Sequence, residues 1–287
     1  MLFFVPHPLL SSLRAIEEYL RAEPGKGWQS FSDEQRKLIK EVYAERADLG
    51  FFNERQLRTF VGESAAKLNE TLKNEGFTIR LGELGENGIG AVSAMKVLFD
   101  WTAEAVRSLI SADGSRYTAM KFKNGFTVLN AINHDFPIIR LEARGGHEVF
   151  ISVQGDKRSV PQNGIALQEK IDAIMTYAKP VSSDIEFVKL PVIKTRTDID
   201  VSWMLGLKFS VKGKRAVEIQ QAKEQVKLEV DERGVKAEAA AAVGTRGGSE
   251  HGLTINEPFF IFIKKAGIKK GILYGLIDAS GWVEVPR

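Results

Sequence analysis

Apolar residues recur at helical spacing through the first part of the chain. In LLSSLRAIEEYL (9–20), Leu9, Leu10, Leu13, Ile16 and Leu20 form one stripe, which predicts a core-facing helix. Ser32 and Gln35 make a capping box, opening a second helix through Leu38, Ile39 and Tyr43. Asn53 and Gln56 open a third. Its stripe is Leu57, Phe60, Val61, Ala65, Leu68 and Leu72, and Gly76 suits its end. The glycines Gly82, Gly85, Gly88 and Gly90 lack both the Lys-Ser/Thr of a phosphate loop and the spacing of a dinucleotide fingerprint, so they read as turns.

From Tyr117 to Val153 the period drops to two. FTVLNAIN, FPIIRLEAR and HEVFISVQ mix β-branched and aromatic residues, with turn residues between them. Helical spacing returns over 165–178. IEFVKLPVIK then reads as a strand, followed by a short helix near 201–205, and LTINEPFFIFI and GILYGLI as late strands. Helices come early and strands late, without βαβ alternation, which predicts an α+β chain with mostly antiparallel sheet.

Composition narrows the classes. A chain of 287 residues with 44% hydrophobic and 27% charged residues can build a substantial core. A net charge of +3 is too small to argue for nucleic acid or an anionic membrane. Lys264, Lys265, Lys269 and Lys270 cluster, but read as a solvated strand edge or hairpin. The absence of cysteine excludes disulfides, thiolate metal sites and cysteine nucleophiles. The apolar N-terminus MLFFVPHPLL carries no basic leader and is broken by Pro6 and Pro8, so it is not read as a secretory signal. With the lack of cysteine, that fits the cytosol. No apolar run approaches the ~18 residues of a membrane span.

Catalytic chemistry is sparse. His7, His134, His147 and His251 include no pair on one helical turn and no HExxH motif, so no metal or cofactor is expected. There is no G-x-S-x-G elbow, and Ser249 beside His251 in a glycine-rich stretch lacks the fold-assembled geometry of a triad. The pairs Glu17/Glu18 and Asp198/Asp200 read as solvated. Nothing points to an enzyme.

VDERGVKAEAAAAVGTRGGSEHG (230–252) stands out. Read with period 3.6, its alanines make a short surface helix. Read with period two, one face holds Val235, Ala237, Ala239, Ala241, Val243 and Thr245, all small and uncharged, while Lys236, Glu238 and Arg246 fall on the other. Such a segment can enter a sheet with its charges left in water.

Three stretches resemble the serpin family. LEVDERGVKAEAAAA is similar to the serpin hinge, with Asp231, Glu232 and Gly234 at its acidic and glycine positions, though Val235 and Glu238 stand where threonine and alanine are usual. LTINEPFFIFI matches the C-terminal signature at Asn256, Pro258 and Phe259, and departs from it at Glu257. SAMKVLFDW resembles the strand that ends in a tryptophan, Trp101, supporting the loop's insertion point. FVKLPVIKTRTDIDVSWMLGL adds the family's strand–helix pattern.

The resemblance implies one serpin-like domain over 1–287, with N-terminal helices, a large mostly antiparallel sheet, smaller sheets and a C-terminal reactive loop at 234–256. The chain is shorter than typical serpins, which implies reduced helices or a lost strand before residue 80. The implied function is protease inhibition by cleavage and sheet insertion, with Glu232, Gly234, Val235, Ala237, Ala239 and Ala241 as the hinge. The bait lies among Arg246, Gly247, Gly248 and Ser249. Counting from the hinge puts the cut after Gly248; Arg246 would suit a trypsin-like protease as partner. The alternative is a non-inhibitory binding or structural protein on the same fold.

Overall fold

The computed structural model describes every residue except 87, 156–159, 211–215, 236–250 and 286–287. The first helix, α1 (Pro6–Tyr19), starts on a proline pair and buries Leu9, Leu10 and Leu13. α2 (Asp33–Lys37) is capped by the Ser32 hydroxyl, which accepts from the Gln35 N–H, while Gln35 Oε1 accepts from the Phe31 N–H. The chain runs on as a π turn (Leu38–Val42) and a 3-10 stretch (Tyr43–Phe51).

The third expected helix splits. Leu57–Gly62 is a strand, and only Ala65–Asn74 is helical (α3), capped by Ser64 and followed by Gly76 at φ +87°. Thr59, Phe60 and Val61 are β-formers whose apolar spacing mimicked a helix. Asn53 instead holds a turn, its side chain accepting from the Arg55 N–H. α4 (Gly164–Tyr177) lies where helical spacing returned, capped by Asn163.

Seven strands form the largest sheet, antiparallel throughout. In order they are Leu2–Phe4, Leu273–Ile277, Phe259–Lys265, His147–Val153, His134–Ala143, Phe126–Ala131 and Lys179–Pro180. The apolar N-terminus is thus an edge strand, and α4 packs on it. A four-stranded sheet orders Gly252–Thr254, Phe187–Pro191, Ser115–Phe122 and Ala105–Ala112. The run IEFVKLPVIK leaves this sheet after Pro191 and pairs from Ile193 onward with Glu224–Val230 elsewhere.

One further sequence reading changes. Glu17 is fully buried rather than solvated: its carboxylate accepts from Trp28 Nε1 and the Tyr43 hydroxyl, each at 2.6 Å, and from the Gly25 N–H. The loop after α1 folds back over that flank of the helix and supplies Gly25 and Trp28, and the 3-10 stretch supplies Tyr43. The lysine cluster sits, as expected, at the hairpin joining Phe259–Lys265 to Leu273–Ile277, where Lys265 Nζ donates to the Phe51 carbonyl, Lys269 pairs with Glu45 and Lys270 with Asp172.

Candidate functional site

The site grows from one turn. Strand Glu224–Val230 ends at Asp231, and the chain reverses through Glu232 and Arg233 to Gly234. Asp231 and Gly234 exchange backbone hydrogen bonds at 3.0 and 3.3 Å. The Asp231 carboxylate also accepts from the Arg233 N–H. Gly234 has φ +151°, and a Cβ there would collide with the carbonyl of Phe99, so the position requires glycine.

Trp101 braces this turn from beneath. It is 4% exposed, its indole N–H donates 2.8 Å to the Asp231 carbonyl, and its own backbone N–H donates to Arg233. Its ring sits edge-on to Phe122 and Phe99. Gly234–Val235 pairs antiparallel with Phe99–Asp100. Glu232 is half-buried within the turn. Ala237, Ala239, Ala241, Arg246, Gly247, Gly248 and Ser249 lie outside the described residues. The chain re-enters at Gly252–Thr254, parallel to Phe187–Pro191 on the edge of the four-stranded sheet.

Below the turn the chain forms two separate ladders. Leu57–Gly62 pairs with Gly90–Met95, and Ile193–Ile199 pairs with Glu224–Val230. The inner strands, Gly90–Met95 and Glu224–Val230, share no ladder hydrogen bonds. They wall a cavity of about 760 Å³, whose floor is α1 through Leu9, Ser12, Leu13 and Ile16. An unbonded strand edge is a template for another strand. Here two such edges border one slot, with the Asp231–Gly234 turn at its upper end. The strands beside the Asp231–Gly234 turn are therefore not those of the seven-stranded sheet but a split pair of two-stranded ladders.

Hydroxyls fasten the floor. Ser12 of α1 bonds Ser93 at 2.8 Å, and Ser93 bonds Thr59, which bonds Ser11. At the lower end a segment, 77–84, spans from the α3 side to the far ladder. Gln225 Oε1 accepts from the Thr78 N–H, and its amide donates to Thr78 Oγ1 and to Asp198. Gln221 accepts from the Gly82 N–H and donates to the Glu83 carbonyl. Leu81 and Leu84 pack against Leu68, Leu72 and Val92.

One charge is out of place. Glu224 is buried on the same strand face as Val226 and Leu228, and neither carboxyl oxygen has a hydrogen-bond partner. Burial alone pushes its pKa up to about 8. Nothing in the sequence marked Glu224, Gln221 or Gln225. Each sits in an apolar or charged run as an ordinary surface residue would, and only the ladder register reveals its place.

No family model matches the sequence, and no curated protein does. Solved structures do match. The thyroxine-binding globulin complex with thyroxine has a TM-score of 0.60 at 10% identity, over 96% of this chain and 92% of that one. Human glycosylated kallistatin has 0.53 at 15% identity, over 96% and 90%. Native protease nexin-1 with heparin has 0.55 at 13% identity, over 95% and 97%. At such identities the likeness concerns the fold, and the chain has the serpin fold.

Proposed function

We propose that the chain inhibits proteases by inserting its cleaved loop into the slot between the two inner strands. One observation carries this reading: the two ladder ends at the hinge set the same register. The Asp231–Gly234 pair, continued downward, sets Val235, Ala237, Ala239 and Ala241 opposite Val230, Leu228, Val226 and Glu224, all buried. The Phe99–Val235 pair, continued along the other wall, sets the same positions opposite Phe99, Val97, Met95 and Ser93. Val97, Met95 and Ser93 all line the cavity. Both registers turn the small, uncharged face of the arm toward α1.

The outer face also fits. Lys236 falls opposite Glu229. Glu238 falls opposite Lys227 on one side and Lys96 on the other. Opposite charges across a ladder are favourable. Insertion would satisfy two rows of unpaired backbone groups and fill the cavity, so the cleaved form would be the more stable one. The bait is Arg246 or Gly248, with Gly247 and Ser249 beside them. Arg246 implies a trypsin-like target.

The likeness to thyroxine-binding globulin favours a second reading, a binding protein of this fold that does not trap proteases. Exposure to trypsin-like, elastase-like and subtilisin-like proteases separates the two. Inhibition predicts a covalent complex that survives denaturing electrophoresis, and a markedly raised melting temperature for the loop-cleaved protein. Clean cleavage with neither result supports the binding protein.

A further inference from the structure

The proposed insertion leaves Glu224 unexplained. In the register above Ala241 would stand opposite it, and an alanine methyl gives a carboxyl no partner. The group is 94% buried, since 6% of its surface is exposed, and both oxygens are unpartnered. Its strand face continues into Val226 and Leu228, which wall the cavity with Glu224 itself. Across from them stand Leu9, Leu13 and Ile16 of α1. The volume, about 760 Å³, is in the range of small-molecule sites, which combine apolar walls with a few polar groups that fix orientation.

We propose that this cavity binds an elongated apolar molecule bearing an amine, its chain along α1 and its ammonium group on the Glu224 carboxylate. An unpaired carboxylate in an apolar wall is costly, and a cation that arrives with its own apolar chain removes that cost. An alcohol of the same length would gain the apolar contacts without the charge pair. A fatty acid could share a proton with the Glu224 carboxyl but would bring no opposite charge to hold it ionised. The other ionisable residues along the cavity are Arg80, Glu83, Glu86, Glu218, Lys223 and Lys227, all exposed, so none neutralises Glu224 from within. This site does not rest on loop insertion, and its test needs neither protease nor cleavage.

Octylamine, octanol and octanoate would be titrated into the intact protein by calorimetry and thermal shift. Octylamine should bind saturably and at least tenfold more tightly than octanol or octanoate. Glu224→Gln should cut octylamine affinity at least tenfold while leaving octanol unchanged. A second measurement needs no variant. Ionising the buried carboxyl on binding releases a proton, so octylamine affinity should rise several-fold from pH 6 to pH 7.5, with proton release seen in buffers of different ionisation enthalpy. Equal affinity for amine and alcohol, undiminished amine binding by Glu224→Gln, or no binding by any of the three overturns the proposal.

Discussion

Glu224 and His7 pull the pH dependence of stability in opposite directions. Glu224 has a folded pKa of about 8 against an ordinary 4.5, so the folded protein keeps a proton that the unfolded chain releases. Its contribution is whole below pH 4.5 and drains away as pH rises toward 8. The differential is about 3 kcal/mol at pH 7, taken at ~1.4 kcal/mol per unit. His7 is fully buried at the start of α1 against Phe52, with neither ring nitrogen bonded, and burial lowers its pKa to about 4. There the unfolded chain binds the extra proton, so stability is whole above pH 6.5 and falls as pH drops toward 4. Between about 4.5 and 6.5 the two slopes oppose each other. The melting temperature should therefore be highest in that interval and fall on either side. Glu224→Gln should remove the alkaline limb, leave stability rising from about pH 4.5 to 6.5 where the His7 slope is no longer opposed, and raise the melting temperature at pH 7.5. If the alkaline limb is unchanged in the variant, the carboxyl is not the group that titrates.

At the scale of elements, the proposed insertion would have the inner strand Glu224–Val230 sort the arm's charges. In the proposed register Lys227 meets Glu238, so Lys227→Glu places two carboxylates side by side and should slow insertion after loop cleavage by about fivefold, on the order of 1 kcal/mol. Adding Glu238→Lys should restore the rate, read as the growth of the high-melting species with time. A double variant no faster than the single one would mean that the register is different. A period of two, such as the arm shows, is a local property that a sequence carries on its face, whereas the arm's place in the slot belongs to the proposal. Strands Phe126–Ala131, His134–Ala143, His147–Val153, Phe187–Pro191, Phe259–Lys265 and Leu273–Ile277 and the Ser32 and Gly76 signals were legible in that local way, while Leu2–Phe4 and Lys179–Pro180 were not. What stayed hidden was pairing. Leu57–Gly62 passed for helix because Leu57, Phe60 and Val61 also fit a spacing of three and four. The hairpin Ala105–Phe122 was read only in part, since Val106, Arg107 and Leu109 are exposed and give no clean alternation. Gln221 and Gln225 act through partners some 140 residues away in sequence, a relation no local pattern contains.

On the scale of the whole molecule, a free slot bordered by two strand edges is an unfinished sheet, and what completes it need not be covalently attached. The strand pairs are held apart above a common floor, since Ser12 and Thr59 both anchor on Ser93 while the far ladder is tied to the near side through Gln225 and Gln221. A peptide spanning residues 235–245 carries the small face and both charges of the arm. Added to the uncleaved protein, it should raise the melting temperature saturably, because it binds the folded chain and not the unfolded one. Replacing Ala239 by arginine in that peptide sets a charge against Val226 and Met95 and should abolish the effect, at a cost of several kcal/mol for an unpaired buried cation. The same peptide with Lys236 replaced by alanine should still bind, since that position faces water. Equal action by the arginine peptide would place the arm's other face inward and reverse the register on which the insertion reading depends.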